Sequence, residues 1–205
     1  ADGYTLLFGY QAAVTVTPSL YPDLPYKPES DMAPVSLLTR ICYALITQND
    51  NPVGSLEQFI ARLRAEPGKV PVASSGIGSG GHIFMEMLTG ETGTRFLHVP
   101  YKSSPINDLI GGQVAFAMES MGVAVPMIRS GRVKALAVSA PARLPTLASV
   151  PAAAELAPAA VNCGWNAMWA PAGTPEPIVR ALYEGLMQVA TTPAVRRRVE
   201  DLSMD

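Results

Sequence analysis

The sequence predicts an α/β fold in which helices cover the faces of a parallel sheet. In the middle of the chain, short apolar segments typical of strands alternate with segments typical of helices, and short loops join them. The chain has 205 residues, of which 48% are hydrophobic and 16% charged, so it can form a substantial core. This composition excludes a disordered, self-repelling chain.

The first elements are short strands and a proline-rich loop. Residues 4–8 are apolar and lie between Gly3 and Gly9, which predicts a buried strand. Residues 11–20 are weakly helical, and the prolines of 21–31 indicate a loop. Apolar residues at 35–38 and 41–47 predict one long strand or two consecutive strands.

The clearest helix is predicted over 56–65. Ser55 is a favourable N-cap, and Gln58 stands three residues later, where the second half of a capping box is expected. The apolar residues recur at helical spacing, and the pair Pro67-Gly68 ends the helix.

The rest of the chain continues the alternation of strands and helices. Strands are predicted at 70–73, 96–99, 114–118, 133–139 and 161–170. Helices are predicted at 82–88, 106–110, 123–129 and 178–189, and a last helix begins at Thr192-Pro193.

Charge and composition exclude several classes of function. Lys and Arg number 15 against 17 Asp and Glu, so a nucleic-acid surface would need a concentrated basic patch, and the only dense one is 196–198. The longest apolar stretch, 114–128, is interrupted by Glu119 and Pro126 and is too short to span a membrane. The sequence does not start with the basic and apolar segments of a signal peptide.

The cysteines limit metal and disulfide chemistry. Two cysteines cannot supply a zinc site of four thiolates, and no metal or cofactor is expected. A bridge between Cys42 and Cys163 is possible, but two buried thiols in adjacent strands are favoured.

The loop at 74–81 is the segment that predicts a binding site. It joins a predicted strand to a predicted helix and consists almost entirely of small residues, so its backbone N–H groups can approach a ligand closely. The following helix adds unpaired donors and a partial positive charge. We therefore expect an oxyanion such as a carboxylate to bind the N–H groups of 76–80 and the hydroxyls of Ser75 and Ser79, with His82 as a donor or cap.

Other interpretations of this loop compete with anion binding. It could be a plain strand-to-helix turn. It also spells GxGxxG, but the acidic partner residue of a dinucleotide site is missing after the next strand. Because the glycine motif itself is present, an enzyme that binds a nucleotide or a phosphate with this loop is the alternative function. A serine hydrolase needs a different glycine spacing, and His82 and His98 do not have metalloprotease spacing. Glu119 follows a strand and is either a ligand contact or a solvated carboxylate.

A set of motifs resembles one family over nearly the whole chain. The chain resembles the extracytoplasmic solute-binding receptors of tripartite tricarboxylate transporters, the Bug (Bordetella uptake gene) family. The matching blocks, in family order, are DGYTLL (2–7), PSLY (18–21), LPY (24–26), APVSLL (33–38), PGK (67–69), SSGIGS (74–79) with His82, HVPYK (98–102), DLIGGQV (108–114), GRVKALAV (131–138) and APAGTP (170–175).

The resemblance implies a two-lobed, flytrap-like periplasmic binding protein of type II that performs no covalent chemistry. It implies one discontinuous lobe, 1–41 with 164–205, and a second lobe, 42–163. The lobes would close on a small mono- or dicarboxylate and deliver it to a membrane permease. The family's carboxylate loop in the second lobe maps onto Ser74, Ser75, Gly76, Gly78, Ser79 and His82, and the loop predicted from the residues themselves includes Gly80.

The sequence also departs from the family pattern. The signal peptide and the first strand, loop and helix of the family have no counterpart here, so the N-terminal part of the first lobe is expected to be missing. A monomer is expected, and an open sheet edge would permit a dimer by strand pairing. Tyr10 and Gln11 replace small residues, and Glu119 replaces an Asp of many members, so all three are expected to line the pocket and alter it.

Overall fold

Strands and helices alternate along the part of the chain that the structure describes. The computed structural model describes residues 5–202 and 204. The elements are β1 (Leu7–Tyr10), α1 (Thr17–Leu20), α2 (Pro28–Asp31), β2 (Met32–Ile41), β3 (Tyr43–Gln48), α3 (Leu56–Ala65), β4 (Pro71–Ser74), α4 (Gly80–Thr92), β5 (Leu97–Pro100), α5 (Ile106–Ile110), β6 (Phe116–Ser120), α6 (Met121–Arg129), β7 (Val133–Val138), β8 (Gly164–Pro171), α7 (Glu176–Ala190) and α8 (Pro193–Asp201).

The chain divides into two compact units. Unit 1 comprises residues 1–41 and 164–205, and unit 2 comprises the intervening residues 42–163. Each unit has its own sheet.

Unit 1 is organised by a three-stranded antiparallel sheet in the order β1-β8-β2. The strand predicted at 4–8 is found as β1, at Leu7–Tyr10, while Tyr4 lies outside the described residues. The prediction that this strand is buried is wrong: Phe8 is 60% exposed, because β1 is an edge strand of a small sheet. Residues 12–16 form a π-helical turn that continues into α1, in the region expected to be weakly helical.

Unit 2 contains a five-stranded sheet in the order β5-β4-β6-β3-β7. Strands β5, β4 and β6 are parallel, whereas β3 runs antiparallel to both of its neighbours. The expectation of a purely parallel sheet is therefore wrong. Strand β3 enters the unit from the other end of the sheet and is inserted between β6 and β7. An alternating pattern of strands and helices does not specify this placement.

Helices cover both faces of the unit 2 sheet. Leu45 and Val72 pack with the apolar faces of α3 and α4, while Ala44 and Ala73 pack with α5 and α6. Adjacent residues of one strand therefore belong to different core clusters, as the alternation of side chains along a strand requires. The two clusters make unit 2 a three-layer α/β structure.

Helix α3 confirms the predicted bounds and N-cap. Ser55 Oγ accepts a hydrogen bond from the Gln58 N–H at 3.2 Å. The capping box is shifted, because Gln58 Oε1 accepts from the Gly54 N–H at 2.6 Å rather than from Ser55. The first bond satisfies a backbone donor that the first helical turn leaves unpaired, and the second pairs the N–H of Gly54, which precedes the N-cap.

The two cysteines form a disulfide. Cys42 and Cys163 are bonded to each other across a sequence separation of 121. The expectation of two free buried thiols is therefore wrong. Cys42 precedes β3 at the first residue of unit 2 and Cys163 is its last residue, so the bridge joins the two ends of the unit.

Residues 5–202 and 204 contain no helix that is both long and apolar enough to cross a membrane. The longest, α7, has 15 residues and none of its side chains is buried.

Candidate functional site

The predicted binding loop lies where β4 meets α4, at the carboxyl end of the parallel strands. Ser74 is the last residue of β4, and Ser79 is the N-cap of α4, so the helix begins at Gly80, two residues before the predicted start. Ser79 Oγ accepts from the His82 N–H at 3.4 Å. The first N–H groups of a 13-residue helix therefore face the loop, with their partial positive charge.

The Ser74 hydroxyl holds the loop together. It accepts from the Gly76 N–H at 3.2 Å and from the Ser79 hydroxyl at 3.3 Å, and it lies 2.7 Å from His98 Nε2. The Ser74 proton has two acceptors within reach, His98 Nε2 and the Gly76 carbonyl at 3.2 Å. Either neutral tautomer of His98 fits these bonds.

His82 is also fixed as a neutral ring. Its Nδ1 accepts from the Gly78 N–H at 3.1 Å, while its Nε2 lies 3.5 Å from Glu86 Oε1. The rings of His82 and His98 stack with centroids 3.9 Å apart. Burial lowers the pKa of both rings, and in His98 the pKa falls to about 4, with the neighbouring His82 as the second cause.

Hydrogen bonds within the loop change which N–H groups are available to bind a ligand. Three N–H groups that were expected to face a ligand are used within the loop: Gly76 donates to Ser74, Gly78 to His82 and Ser79 to the Gly76 carbonyl. The N–H groups of Ser75, Ile77, Gly80 and Gly81 have no acceptor in the part of the chain that the structure describes. The available donors are therefore a different subset of the same loop.

Glycine is required at several positions of this segment. Gly76 and Gly78 have φ values of 126° and 77°, which side chains rarely adopt. A Cβ at Gly80 would lie 2.1 Å from the Tyr43 hydroxyl oxygen, and one at Gly81 would lie 2.6 Å from Met118 Cβ. The start of α4 therefore rests directly on β3 and β6.

Residues far along the chain position the loop, and sequence reasoning did not find them. Asn162 Nδ2 donates to the Gly80 carbonyl at 2.7 Å. The Asn162 N–H donates to the Ser139 carbonyl, and the Asn162 carbonyl accepts from the Ser139 hydroxyl. Ser139 Oγ in turn accepts from the Tyr43 N–H at 2.8 Å. No local pattern marks Asn162 or Ser139, since their roles depend on contacts across unit 2.

Glu119 lies at the same edge of the sheet, one residue before the end of β6. It is 4% exposed, so the alternative of a solvated carboxylate is wrong. Ser104 donates its hydroxyl to Glu119 Oε1, and the Ser120 N–H donates to Oε2 at 3.2 Å. Burial raises the pKa of this carboxyl, against the two hydrogen bonds that lower it.

Two predicted site residues lie in unit 1. Tyr10 ends β1 and is 59% exposed, and Gln11 precedes the π-helical turn, where its carbonyl accepts from Thr15. Their contribution to a pocket stays a prediction. Among the described residues, there is no group of three or more His, Cys, Asp or Glu side chains that could hold a metal ion.

The histidine pair predicts a pH dependence of stability. Because the pKa of His98 is about 4 in the folded state against 6.5 ordinarily, the unfolded state binds the proton more readily. Stability should therefore be complete above pH 6.5 and be lost as the pH falls from 6.5 towards 4. We expect the melting temperature to fall over this window, and less steeply in His98→Gln. Equal slopes in the two proteins would contradict the assignment.

Comparisons with known proteins identify the family. The model of the tripartite tricarboxylate transporter family receptor matches residues 1–205. Protein BugT of Bordetella pertussis is 37% identical over 199 residues, which cover 95% of this chain and 61% of BugT. The chain thus spans about three fifths of the length of the curated relatives that it matches.

Solved structures have the same fold. The periplasmic binding protein BugD superposes with a TM-score of 0.90 at 31% identity, over 100% of this chain and 69% of BugD. MatC from Rhodopseudomonas palustris, with bound malate, gives 0.88 at 31% identity, over 99% and 70%. A second R. palustris protein, with adipate, gives 0.88 at 27% identity, over 100% and 69%. This confirms the two-lobed periplasmic binding-protein fold class, and the chain belongs to the tripartite tricarboxylate transporter receptor family, the family of the Bug proteins.

Proposed function

We propose that this chain is the ligand-binding part of a periplasmic receptor that captures a small carboxylate with loop 74–82 and passes it to a membrane permease. The receptor binds its ligand without covalent chemistry and without a metal or cofactor. The observation that carries the proposal is the set of unpaired N–H groups at the carboxyl end of β4, on a loop that its own hydrogen bonds hold in place.

The unpaired donors suit one carboxylate group. The Ser75 N–H and hydroxyl and the Ile77 N–H belong to exposed residues, while the Gly80 and Gly81 N–H groups begin α4. Hydrogen bonds from neutral donors to a charged group contribute about 1.5–3 kcal/mol each. A few of them reach the roughly 8 kcal/mol that corresponds to micromolar affinity.

Hydrogen bonds within the loop hold part of its backbone rigid, and this rigidity favours ligand binding. The Ser74 hydroxyl accepts from the Gly76 N–H and His82 Nδ1 accepts from the Gly78 N–H, which fixes the backbone between them, and His98 contacts the Ser74 hydroxyl. Donors that are already oriented lose little conformational entropy when a ligand binds. The internal bonds therefore support the site, although they remove three of the expected N–H contacts.

A thermal-shift and calorimetric screen tests the proposal. The ligands are C3–C6 mono- and dicarboxylates, citrate and amino acids, each beside its neutral amide, with nucleotides and inorganic phosphate as comparators. We expect at least one carboxylate to raise the melting temperature and to bind, and its amide to have no effect. Stabilisation by nucleotides alone would favour the phosphate-binding alternative, and no effect of any acid would overturn the proposal.

A further inference from the structure

Tyr43 lies at the edge of the sheet where the binding loop begins. It is the first residue of β3, and because β3 runs antiparallel to β6, it pairs with Ser120, the last residue of β6. Strand β6 runs parallel to β4, which ends at the loop. The antiparallel insertion of β3 therefore brings the start of a strand to the edge at which the parallel strands end.

The backbone and the ring of Tyr43 are both held in place. Its N–H donates to Ser139 Oγ at 2.8 Å, and its carbonyl accepts from the Ser139 N–H at 2.8 Å. The ring packs against the apolar cluster that contains Leu45 and the buried side chains of α3 and α4. The ring therefore lies on the face of the sheet that α4 covers, and its hydroxyl has a fixed position.

The hydroxyl of Tyr43 lies next to the first residue of α4. A Cβ built on Gly80 would stand 2.1 Å from this oxygen, which is far inside contact distance, so glycine is needed for the ring to lie here. A carbon–carbon bond is about 1.5 Å, so the oxygen is at most about 3.6 Å from Gly80 Cα and about 5 Å from Gly80 N. The Gly80 N–H has no acceptor in the described part of the chain. Two hydrogen-bond donors, a backbone N–H and a phenol hydroxyl, thus stand side by side.

The Tyr43 hydroxyl has no hydrogen-bond partner among the described residues. The other two partly buried tyrosines of this part of the chain have one: Tyr26 donates to a backbone carbonyl and Tyr101 to Asp108 Oδ2, each at 2.8 Å. The Tyr43 oxygen also remains accessible, since Trp169 Nε1 is the only fully buried side-chain nitrogen or oxygen without a partner among the described residues. A phenylalanine would fill the same space, so packing alone does not account for the hydroxyl.

We propose that the Tyr43 hydroxyl is a ligand-binding group, which donates a hydrogen bond to the carboxylate bound at the start of α4. A single carboxylate oxygen can accept from this hydroxyl and from the Gly80 N–H, because two hydrogen bonds of about 2.7–3.0 Å bridge donors that are about 5 Å apart. Burial raises the pKa of Tyr43 above its ordinary value, so the hydroxyl keeps its proton at neutral pH and can donate it. The inference rests on the proposed function and adds a side chain from β3 to a site otherwise built from one loop.

Tyr43→Phe tests the inference, since it removes the hydroxyl and keeps the ring. Calorimetry on the whole chain with propionate, succinate, malate and adipate measures the affinity, and a melting curve measures the stability. We expect the affinity for the best-bound of these acids to fall about 10- to 100-fold, because a neutral donor to a charged group is lost. The melting temperature should stay the same or rise, because the hydroxyl has no partner among the described residues. An unchanged affinity would show that the ring only fills space beside Gly80 and would overturn the inference.

Thr47→Val is the matched control on the same strand. Thr47 Oγ1 donates to the Ala115 carbonyl at 2.7 Å, and Thr47 pairs with Phe116, at the end of the sheet opposite to the loop. Valine keeps the shape of the side chain and leaves the buried carbonyl without this donor. We expect the melting temperature to fall and the affinity to stay, which is the reverse of the result for Tyr43→Phe. If both variants lost affinity to the same extent, the loss would not be specific to Tyr43 and the inference would be wrong.

A signal from the carbon that bears the hydroxyl gives a second measurement. The chain has seven tyrosines, and in protein labelled with ¹³C at tyrosine Cζ, the signal that Tyr43→Phe removes belongs to Tyr43. We expect this signal to shift as the best-bound acid saturates the wild-type protein, and the neutral amide of that acid to leave it unshifted. A Tyr43 signal that stays in place at saturation would overturn the inference, whatever the affinity of the variant.

The results also separate this inference from the proposed function. An acid that binds the wild-type protein and Tyr43→Phe equally well would overturn the role of Tyr43 and leave carboxylate capture intact. Binding of no acid to the wild-type protein would overturn both.

Discussion

Reduction of the Cys42–Cys163 disulfide is expected to lower the free energy of unfolding of unit 2 by about 2–5 kcal/mol. The bridge spans a sequence separation of 121, and a long loop loses much of its conformational freedom in the unfolded chain when its ends are joined. Since the bridge also joins the first and last residues of unit 2, it limits fraying of β3 from its start.

Urea denaturation with and without a reductant measures this effect. The double variant Cys42→Ser/Cys163→Ser should unfold like the reduced wild-type protein and should not respond to reductant. Identical midpoints for oxidised and reduced wild-type protein would contradict the prediction. The expected loss is a large part of the total stability of an ordinary domain, so partial unfolding at moderate temperature is also expected.

Elements whose signals are local were predictable from the sequence. Helix α3 begins and ends as expected because its N-cap, apolar spacing and terminating Pro-Gly pair all lie within one short stretch. The short helix α5 likewise has its expected bounds. The start of α4 was displaced to Gly80, because Ser79 rather than a later residue caps it.

Long-range relations were not predictable in the same way. The direction of β3 depends on its insertion between β6 and β7, which are distant in sequence. The pairing of Cys42 with Cys163 depends on the chain returning to its own entry point at the end of unit 2. The apolar residues of β1 predicted burial, but burial depends on what covers a strand, and β1 lies at an edge.

In the candidate site, too, the features with a local sequence signal were predictable and those that depend on distant residues were not. The composition of loop 74–81 indicated its place between strand and helix, because closely spaced glycines and serines are a local signal. The sequence did not show which of the loop's N–H groups form internal hydrogen bonds, because this depends on where the acceptor atoms of His82 and Ser74 lie. Asn162 was missed because its partner, Gly80, is 82 residues away.

Replacement of Ser79 by Asp is expected to weaken carboxylate binding on the order of a hundredfold without unfolding the protein. Ser79 caps α4 by accepting from the His82 N–H, and Asp is an equally favoured N-cap, so the helix keeps its cap. A negative charge at a helix N-terminus also stabilises the helix by about 0.3–1 kcal/mol. The melting temperature should therefore stay the same or rise.

The same charge opposes the ligand. At a separation of roughly 5 Å and an effective dielectric constant of about 20, two unit charges repel by about 3 kcal/mol, which weakens binding on the order of a hundredfold. Calorimetry with the best carboxylate of the screen measures this loss. Ser79→Asn is the control, because Asn has nearly the shape of Asp and caps helices as well, but it is uncharged and should lose far less affinity. If the Asp and Asn variants bind alike, the anion does not lie at the start of α4, and the donors of Ser75 and Ile77 would have to hold it away from the helix.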